Sequence, residues 1–422
     1  EFRRVLFRSR DSELTTFDEE MLEMIARPIS TKNNLENIKL NLLGFDNIST
    51  RRDKDGCTKL FQYLKKIAIK SLELELTGKE MHGENIKALS DSLMGKTSLK
   101  KCLIKIRDPS ILKNFKLFNN IPNCHLELST RLINYKVDAM QYLGLLSIPI
   151  KVNIEGVNSK KIENENFLVN FFDILSRVLK LEGFTYQEDP AEIFDRKFLG
   201  TQMNNLFENN FWHLKTLNLK FQSNAQLSDI LAKLTYKFSL INSIEDLTIH
   251  ILSYLPIENF ENSIRELVSS FAKLSKLKSL NFALGGPYTL TSFPNMFIKH
   301  ILTSIGCLIT LTSLSLMLPT NVAQFETIFK EVGKLVKLEQ LILDIQAVNL
   351  TLSMKDQLAL SDISLYNSIL KNMMKLVYLK VLDLSLPLPI REGTRDFFMK
   401  KVLSKKISLK CSLNSSSNKF DI

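Results

Sequence analysis

The sequence predicts an α/β solenoid, with a parallel β-sheet on the concave side and α-helices on the convex side. Three observations predict this fold: an apolar template that recurs along the chain, a near-constant spacing of its copies, and a change of hydrophobic period within each copy. In the stretch LVKLEQLILDI, Leu335–Ile345, apolar residues three apart give way to apolar residues two apart. Each copy is therefore expected to end a helix and begin a strand.

The template reads L-x-x-L-x-L-x-L, where L is any apolar residue. Clear copies have their second apolar residue at Ile38, Leu72, Cys102, Leu217, Leu247, Leu280, Leu314, Leu341 and Leu382. Weaker copies lie at Cys124, at Ile148 after Leu145, and in a degenerate stretch around Leu179–Leu181. From Ile38 to Leu382 the copies are spaced by about 31 residues on average, which is typical of a repeat array.

Each element of the repeat follows from its period. The last three apolar residues of a copy alternate with other residues, which predicts a short strand with one buried face. Between copies, residues such as Phe260, Ile264, Leu267 and Phe271 are three or four apart, which predicts an amphipathic helix of about three turns. One strand and helix cannot bury their apolar sides alone, so we expect the units to stack. Because a helix is about 10 Å wide and strands lie about 4.8 Å apart, the stack should curve with the strands inside.

From Leu35 to Leu386 the repeats resemble the leucine-rich-repeat superfamily, in its long, helix-backed subclass of ribonuclease inhibitor and the Ran GTPase-activating protein. The resemblance implies a leucine-rich-repeat solenoid. The family usually has Asn five residues after the first strand leucine, where its side chain bonds to neighbouring backbone. Here those positions hold Thr77, Arg107, Gln222, Leu252, Gly285, Pro319, Gln346 and Pro387. How successive repeats satisfy their backbone polar groups is therefore left open.

The predicted organisation has four parts. Residues 1–10 are interpreted as a non-native linker, 11–34 as an N-terminal cap segment, 35–390 as a solenoid of about 12 repeats, and 391–422 as a C-terminal cap and flexible tail. The long connection Thr185–Asn210 is either an insertion or a degenerate repeat. An N-terminal domain could precede the repeats.

The sequence predicts no catalytic, cofactor or metal site. It contains no phosphate-binding glycine loop, no HExxH, no GxSxG and no CxxC pair. Cys102 and Cys124 share one template position in consecutive copies, so they are either a redox or metal pair or two small buried thiols. If this chain shared the GTPase-activating activity, it would need a catalytic arginine in an early turn, such as Arg51, Arg52 or Arg107. Arginines in such turns are usually solvated loop residues without a catalytic role. The five scattered cysteines favour a reducing, cytoplasmic location.

The charge does not predict a nucleic-acid groove. The net charge of +11 would suit acidic partners such as nucleic acid or a membrane surface. However, the exposed strand positions carry lysines and carboxylates in nearly equal numbers, so we expect the lysines on helices, turns and termini instead. The longest apolar run is far too short to cross a bilayer, so no membrane insertion is expected.

The late strands supply the candidate site. Ala283, Met317, Ile342 and Val381 occupy expected exposed positions in consecutive copies, where they would form an apolar column bordered by Asp344 and Asp383. We expect this column to bind a protein partner with a basic surface, unless the segment Arg391–Leu413 folds back and covers it. The predicted function is a non-enzymatic scaffold for protein–protein interaction. The alternatives are a GTPase regulator or ubiquitin-ligase substrate adaptor, and a basic nucleic-acid-binding repeat protein.

Overall fold

The structure, a computed structural model, divides into two compact units, residues 1–189 with 205–214 and residues 190–204 with 215–422. It describes residues 37–41, 54–76, 83–107, 109–121, 123–131, 141–157, 172–188, 213–222, 227–252, 260–285, 295–320, 324–347, 363–386, 408–413 and 419–421.

In the first unit, short strands alternate with helical segments. The strands are β1 (Asn37–Asn41), β2 (Ser71–Leu76), β3 (Lys101–Ile106), β4 (Cys124–Arg131), β5 (Ile150–Val157) and β6 (Leu181–Glu188). The helices are α1 (Lys54–Lys65) and α2 (Gly83–Leu93), followed by 3₁₀ segments at Pro109–Asn120 and Gln141–Leu145 and a short helix at 172–176. Each strand pairs in parallel with the next one in the chain.

The second unit repeats this arrangement with α-helices in the connections. The strands are β7 (Thr216–Gln222), β8 (Asp246–Leu252), β9 (Ser279–Gly285), β10 (Ser313–Thr320), β11 (Gln340–Ala347), β12 (Val381–Leu386), β13 (Ser408–Leu413) and β14 (Lys419–Asp421). The helices are α3 (Leu227–Phe238), α4 (Glu261–Phe271), α5 (Asn295–Gly306), α6 (Phe325–Val332) and α7 (Ile363–Met373). Strands β7 to β13 are parallel, and β14 is antiparallel to β13.

The strand register confirms the predicted parallel sheet. Leu314 of β10 pairs with Leu280 of β9 on one side and with Leu341 of β11 on the other, and Leu341 pairs with Leu382 of β12. The second apolar position of the template is therefore one continuous row across four strands. Strands alternating with helices in this register are the arrangement of a repeat solenoid.

The core lies between the strands and the helices. In β7 to β11, all three apolar strand positions of the template are buried. The predicted helical stripe is buried as well, with Ile264, Leu267 and Phe271 of α4 all at 0% exposure. Packing of one sheet face against amphipathic helices accounts for both periods seen in the sequence.

Shared backbone carbonyls join successive repeats where each strand begins. The amides of Lys278 and Ser279 both donate to the carbonyl of Glu245, at 2.8 and 3.0 Å, and the same bifurcated pattern recurs at Lys278 and at Glu339. Some turns add a side-chain bond: Thr310 donates from its hydroxyl to the carbonyl of Leu277 at 2.9 Å. These bonds give the repeat-to-repeat backbone pairing that the missing Asn ladder left open.

The degenerate copy before β6 differs from the template because the strand contains a bulge. Leu181 pairs with Ile150, but Gly183, not Glu182, pairs with Lys151. The buried residues are therefore Leu181, Gly183, Phe184 and Tyr186, and the two consecutive buried residues break the alternation expected from a regular strand. Leu145 and Leu179, taken as template positions in the weak copies, are exposed instead.

Several predicted segments fall outside the described residues. They include the linker 1–10, the cap segment 11–34, and residues 189–210 of the long connection. In the C-terminal segment 391–422, the described residues form β13 and β14. No helix in the described parts of the chain is long and apolar enough to cross a membrane.

Candidate functional site

Charged side chains on the solvent-facing side of the first unit's sheet pair with one another across the strands. Lys39 and Lys105 both contact the Glu73 carboxylate, at 2.8 and 3.1 Å, and Arg107 contacts Glu75 at 2.8 Å. The hydrogen bond from Lys39 lowers the pKa of Glu73 despite its partial desolvation, with Lys105 adding to the effect. These charges largely satisfy one another, so this face offers little electrostatic attraction to a partner.

The predicted docking residues lie on the solvent-facing side of the second unit's sheet, but they form a diagonal and not a straight column. Met317 pairs with Asp344, and Ile342 pairs with Asp383. The expectation that Met317, Ile342 and Val381 are direct neighbours is therefore wrong, whereas Ala283 does pair with Met317. Met317 is the fifth residue of β10, Ile342 the third of β11 and Val381 the first of β12, so each is displaced by two residues from the last.

Ala283, the fourth residue of the expected column, is only 2% exposed. In the register of the sheet it lies between His250 of β8 and Met317 of β10. Two larger neighbours can cover its single methyl group, which explains why an outward strand position is buried here. The remaining residues are partly exposed, Val381 at 37%. We call Met317, Ile342, Val381, Asp344 and Asp383 the late-strand patch.

The carboxylates of the late-strand patch differ in their neighbours, because Asp383 lies opposite Lys410 of β13 in the register whereas Asp344 lies opposite Met317 and Ser385. Within the described residues, neither Asp344 nor Asp383 has a side-chain hydrogen bond or an ion pair. The described part of the C-terminal segment does not cover them, because β13 pairs alongside β12, with Ser408 opposite Val381. Residues 391–407, the rest of the segment considered as a cover, lie outside the described residues.

A polar cluster on the same face, not noticed in the sequence, consists of Asn218, His250 and Asn281 on three successive strands. His250 and Asn281 are hydrogen-bonded through their side chains. The Oδ1 atom of Asn218 and the Nε2 atom of His250 are buried and have no hydrogen-bond partner among the described residues. If His250 carries its proton on Nδ1, both atoms are acceptors that lack a donor among the described residues. Polar residues at outward positions of three adjacent strands were the only sequence signal.

Burial of His250 makes the stability of the fold depend on pH. Desolvation lowers the pKa of His250, the hydrogen bond with Asn281 partly opposes this, and Lys220 lowers it further. The unfolded chain, with a pKa near 6.5, therefore binds a proton more tightly than the folded chain. The contribution of His250 to stability is complete above this pKa and decreases as the pH falls through it, until the folded state is protonated too.

We accordingly expect His250→Asn to flatten the fall in unfolding free energy between pH 7 and pH 5, because the variant lacks the titrating group. Urea denaturation of both proteins across this range measures the difference. His213→Asn is the matched control, since His213 is exposed. Parallel pH profiles for the wild type and His250→Asn would contradict the expectation.

The other residues singled out in the sequence do not form a reactive site. Arg107 is held by Glu75, whereas Arg51 and Arg52 lie outside the described residues. Cys102 and Cys124 are neighbours on β3 and β4 and are both buried. Their mutual hydrogen bond and burial raise the pKa of the Cys124 thiol, which disfavours the reactive thiolate. No group of three metal-binding side chains occurs among the residues that the structure describes.

No protein-family model matches the chain, and no curated protein matches it either.

Proposed function

We propose that the chain is a cytoplasmic, non-enzymatic leucine-rich-repeat scaffold that binds a basic segment of a protein partner on the late-strand patch. The observation that carries this proposal is the pairing of apolar and acidic residues across the strands: Met317 beside Asp344, and Ile342 beside Asp383. The leucine-rich-repeat assignment is supported by the repeat spacing and by the parallel register of the strands.

This pairing suits lysine and arginine side chains. Each has an apolar stem that packs on an aliphatic surface and a cationic head that needs an anion. On the patch, the stem would lie against Met317 or Ile342 while the head reaches the neighbouring carboxylate. Directly paired residues on adjacent strands are about 5 Å apart, which such a side chain can span.

The solvent-facing sides of the two units' sheets differ in whether their carboxylates are already paired with cations. On the first unit, Glu73 and Glu75 are already paired with cations. On the second unit, Asp344 lies opposite Met317 and Ser385, so a cation from outside meets no competing positive charge on the paired residues there. Asp383 contributes less, because Lys410 of β13 lies opposite it in the register. An apolar centre with a polar surround is also the usual anatomy of a protein interface.

The alternative functions have less support. For a GTPase regulator, Arg107 is engaged with Glu75 on the sheet face. For a substrate adaptor of a ubiquitin ligase, the described residues offer no distinguishing feature. For a nucleic-acid binder, the acidic residues of the late-strand patch would repel phosphates.

The test is binding of the full chain to arrays of peptides that differ in lysine and arginine content. We expect the wild type to select basic peptides, and Met317→Lys with Ile342→Lys to lose this selection at least tenfold, because the new charges repel the ligand. The free energy of unfolding should change by only about 0.5 kcal/mol for each substitution, as is usual at partly exposed positions.

The matched control is Leu103→Lys, which places a lysine at a half-exposed apolar position on the first unit's sheet. It should leave the selection unchanged. A large loss of stability in the patch variants would mean that the patch is covered core. Equal loss of binding in the control would mean that the added charge acts non-specifically.

A further inference from the structure

The turns that lead from helix to strand in the second unit carry an excess of lysine. Four consecutive turns, residues 272–278, 307–312, 333–339 and 374–380, contain seven lysines and one glutamate. The lysines are Lys273, Lys276, Lys278, Lys334, Lys337, Lys375 and Lys380, and all are exposed.

These turns lie side by side along one edge of the sheet. The amide of Thr312 donates to the carbonyl of Lys278 at 2.8 Å, that of Glu339 to Thr312 at 2.8 Å and that of Lys380 to Glu339 at 2.7 Å. Successive turns are therefore in direct backbone contact. We call the four turns the basic turn edge. Of its lysines, Lys380 is paired with Glu339, Lys278 with Glu245 of the preceding turn and Lys334 with Glu331 of α6. The other four have no carboxylate partner among the described residues.

Apolar side chains project from the same turns. Ile309, Val336, Val377 and Tyr378 are between 47% and 69% exposed. Ile309, Val336 and Val377 occupy the same position in their turns. In the two turns that come before Ile309 in the chain, Asn242 and Ser275 occupy this position. The repeat therefore does not need an apolar residue there, and a row of exposed apolar side chains indicates a binding surface.

We propose that the basic turn edge docks on the surface of an anionic lipid bilayer. Lysine heads would contact the acidic headgroups, while the short aliphatic side chains between them enter the interfacial layer. This surface borders the late-strand patch, because Val381 directly follows Lys380. It shares no residue with the patch, and the proposal does not depend on the proposed partner.

The composition of the edge favours lipid over other anionic partners. Protein interfaces are enriched in arginine and depleted in lysine, whereas the four turns contain lysine and no arginine. Binding of nucleic acid relies on arginine contacts and on aromatic stacking, and Tyr378 is the single aromatic residue in these turns. A fluid bilayer needs neither, because flexible lysines and small apolar groups adapt to it.

The first unit shows the same chemistry at the corresponding turns. Residues 65–70 and 94–100 contain five lysines and no carboxylate. Lys65, Lys66, Lys70 and Lys100 are exposed, and Met94 projects as an exposed apolar side chain. Lys96 instead turns inward, where it donates to the carbonyl of Ile67 at 2.5 Å.

The test is flotation of the full chain with vesicles of phosphatidylcholine that contain phosphatidylserine, compared with vesicles of phosphatidylcholine alone. We expect binding to the anionic vesicles only. Lys273→Gln with Lys337→Gln should weaken it at least tenfold, and so should Val336→Ser with Val377→Ser. In V377W, the added indole should show a blue shift in fluorescence when anionic vesicles are present.

The matched controls remove exposed lysines or an exposed apolar side chain that lie outside the basic turn edge. Lys299→Gln with Lys330→Gln removes two exposed lysines from α5 and α6, and Met296→Ser removes an exposed apolar side chain from α5. Both should bind anionic vesicles like the wild type. Equal losses in edge and control variants would overturn the proposal in favour of non-specific charge attraction. Absence of vesicle binding would also overturn it, as would duplex nucleic acid binding that the edge variants abolish without any vesicle binding.

Discussion

Replacement of Phe271 with alanine is expected to lower the free energy of unfolding of the second unit by about 3–5 kcal/mol. Phe271 is the last residue of α4 and is fully buried. Its ring centroid lies 6.0 Å from that of Phe238 in the preceding helix and 6.0 Å from that of Phe282 in β9. The substitution would therefore leave a cavity and also remove two aromatic contacts, one of which joins adjacent repeats.

Urea denaturation of Phe271→Ala, Phe271→Leu and the wild type measures this effect. Leucine keeps more of the buried volume, so Phe271→Leu should be destabilised clearly less than the alanine variant. Met296→Ala provides the baseline, since Met296 is mostly exposed. A loss for Phe271→Ala that is no larger than this baseline would show that the aromatic cluster does not hold the repeats together.

Periodicity predicted the fold well because it reports which side of each element is buried. The change from helical to strand spacing at Leu280, Leu314 and Leu341 identified both the strands and their common row. Periodicity failed to predict which residues are buried at Glu182 and Gly183, where a bulge adds one residue and reverses the alternation. A bulge depends on how two strands pair, which the period of one strand does not contain.

The candidate site was predicted in part. The template, aligned at Leu314, Leu341 and Leu382, already implies that Met317 and Ile342 lie at different heights, so their diagonal arrangement follows from the sequence once the register is applied. Burial of outward positions is different. It depends on the side chains of adjacent strands, which come from repeats far apart in the sequence.

Ala283 and the polar cluster illustrate this limit. Ala283 is covered because His250 and Met317 flank it, and the Asn218 carbonyl oxygen loses access to water through its surroundings. The basic turn edge was missed for a related reason. Its lysines are spread over four turns, and only the backbone contacts between successive turns bring them together.

Replacement of Leu341 with alanine is expected to destabilise the second unit by about 2–5 kcal/mol. Leu341 is fully buried in β11, and its partners in the register are Leu314 and Leu382. The cavity would therefore lie within a row of leucines that cannot easily close around it. Ile342→Ala is the matched control, because it shortens the next residue of the same strand on the partly exposed side of the sheet and should cost much less.

The loss at Leu341 should also be local. In a stack of repeats, each repeat contacts chiefly its neighbours, so a weakened repeat can open without unfolding the whole chain. Hydrogen exchange measured by mass spectrometry should show faster exchange of the β10, β11 and β12 amides in Leu341→Ala, with little change in β2 and β3 of the first unit. The stability of the late strands then depends on contacts between adjacent repeats. A uniform increase across both units would mean instead that the chain unfolds as one cooperative body.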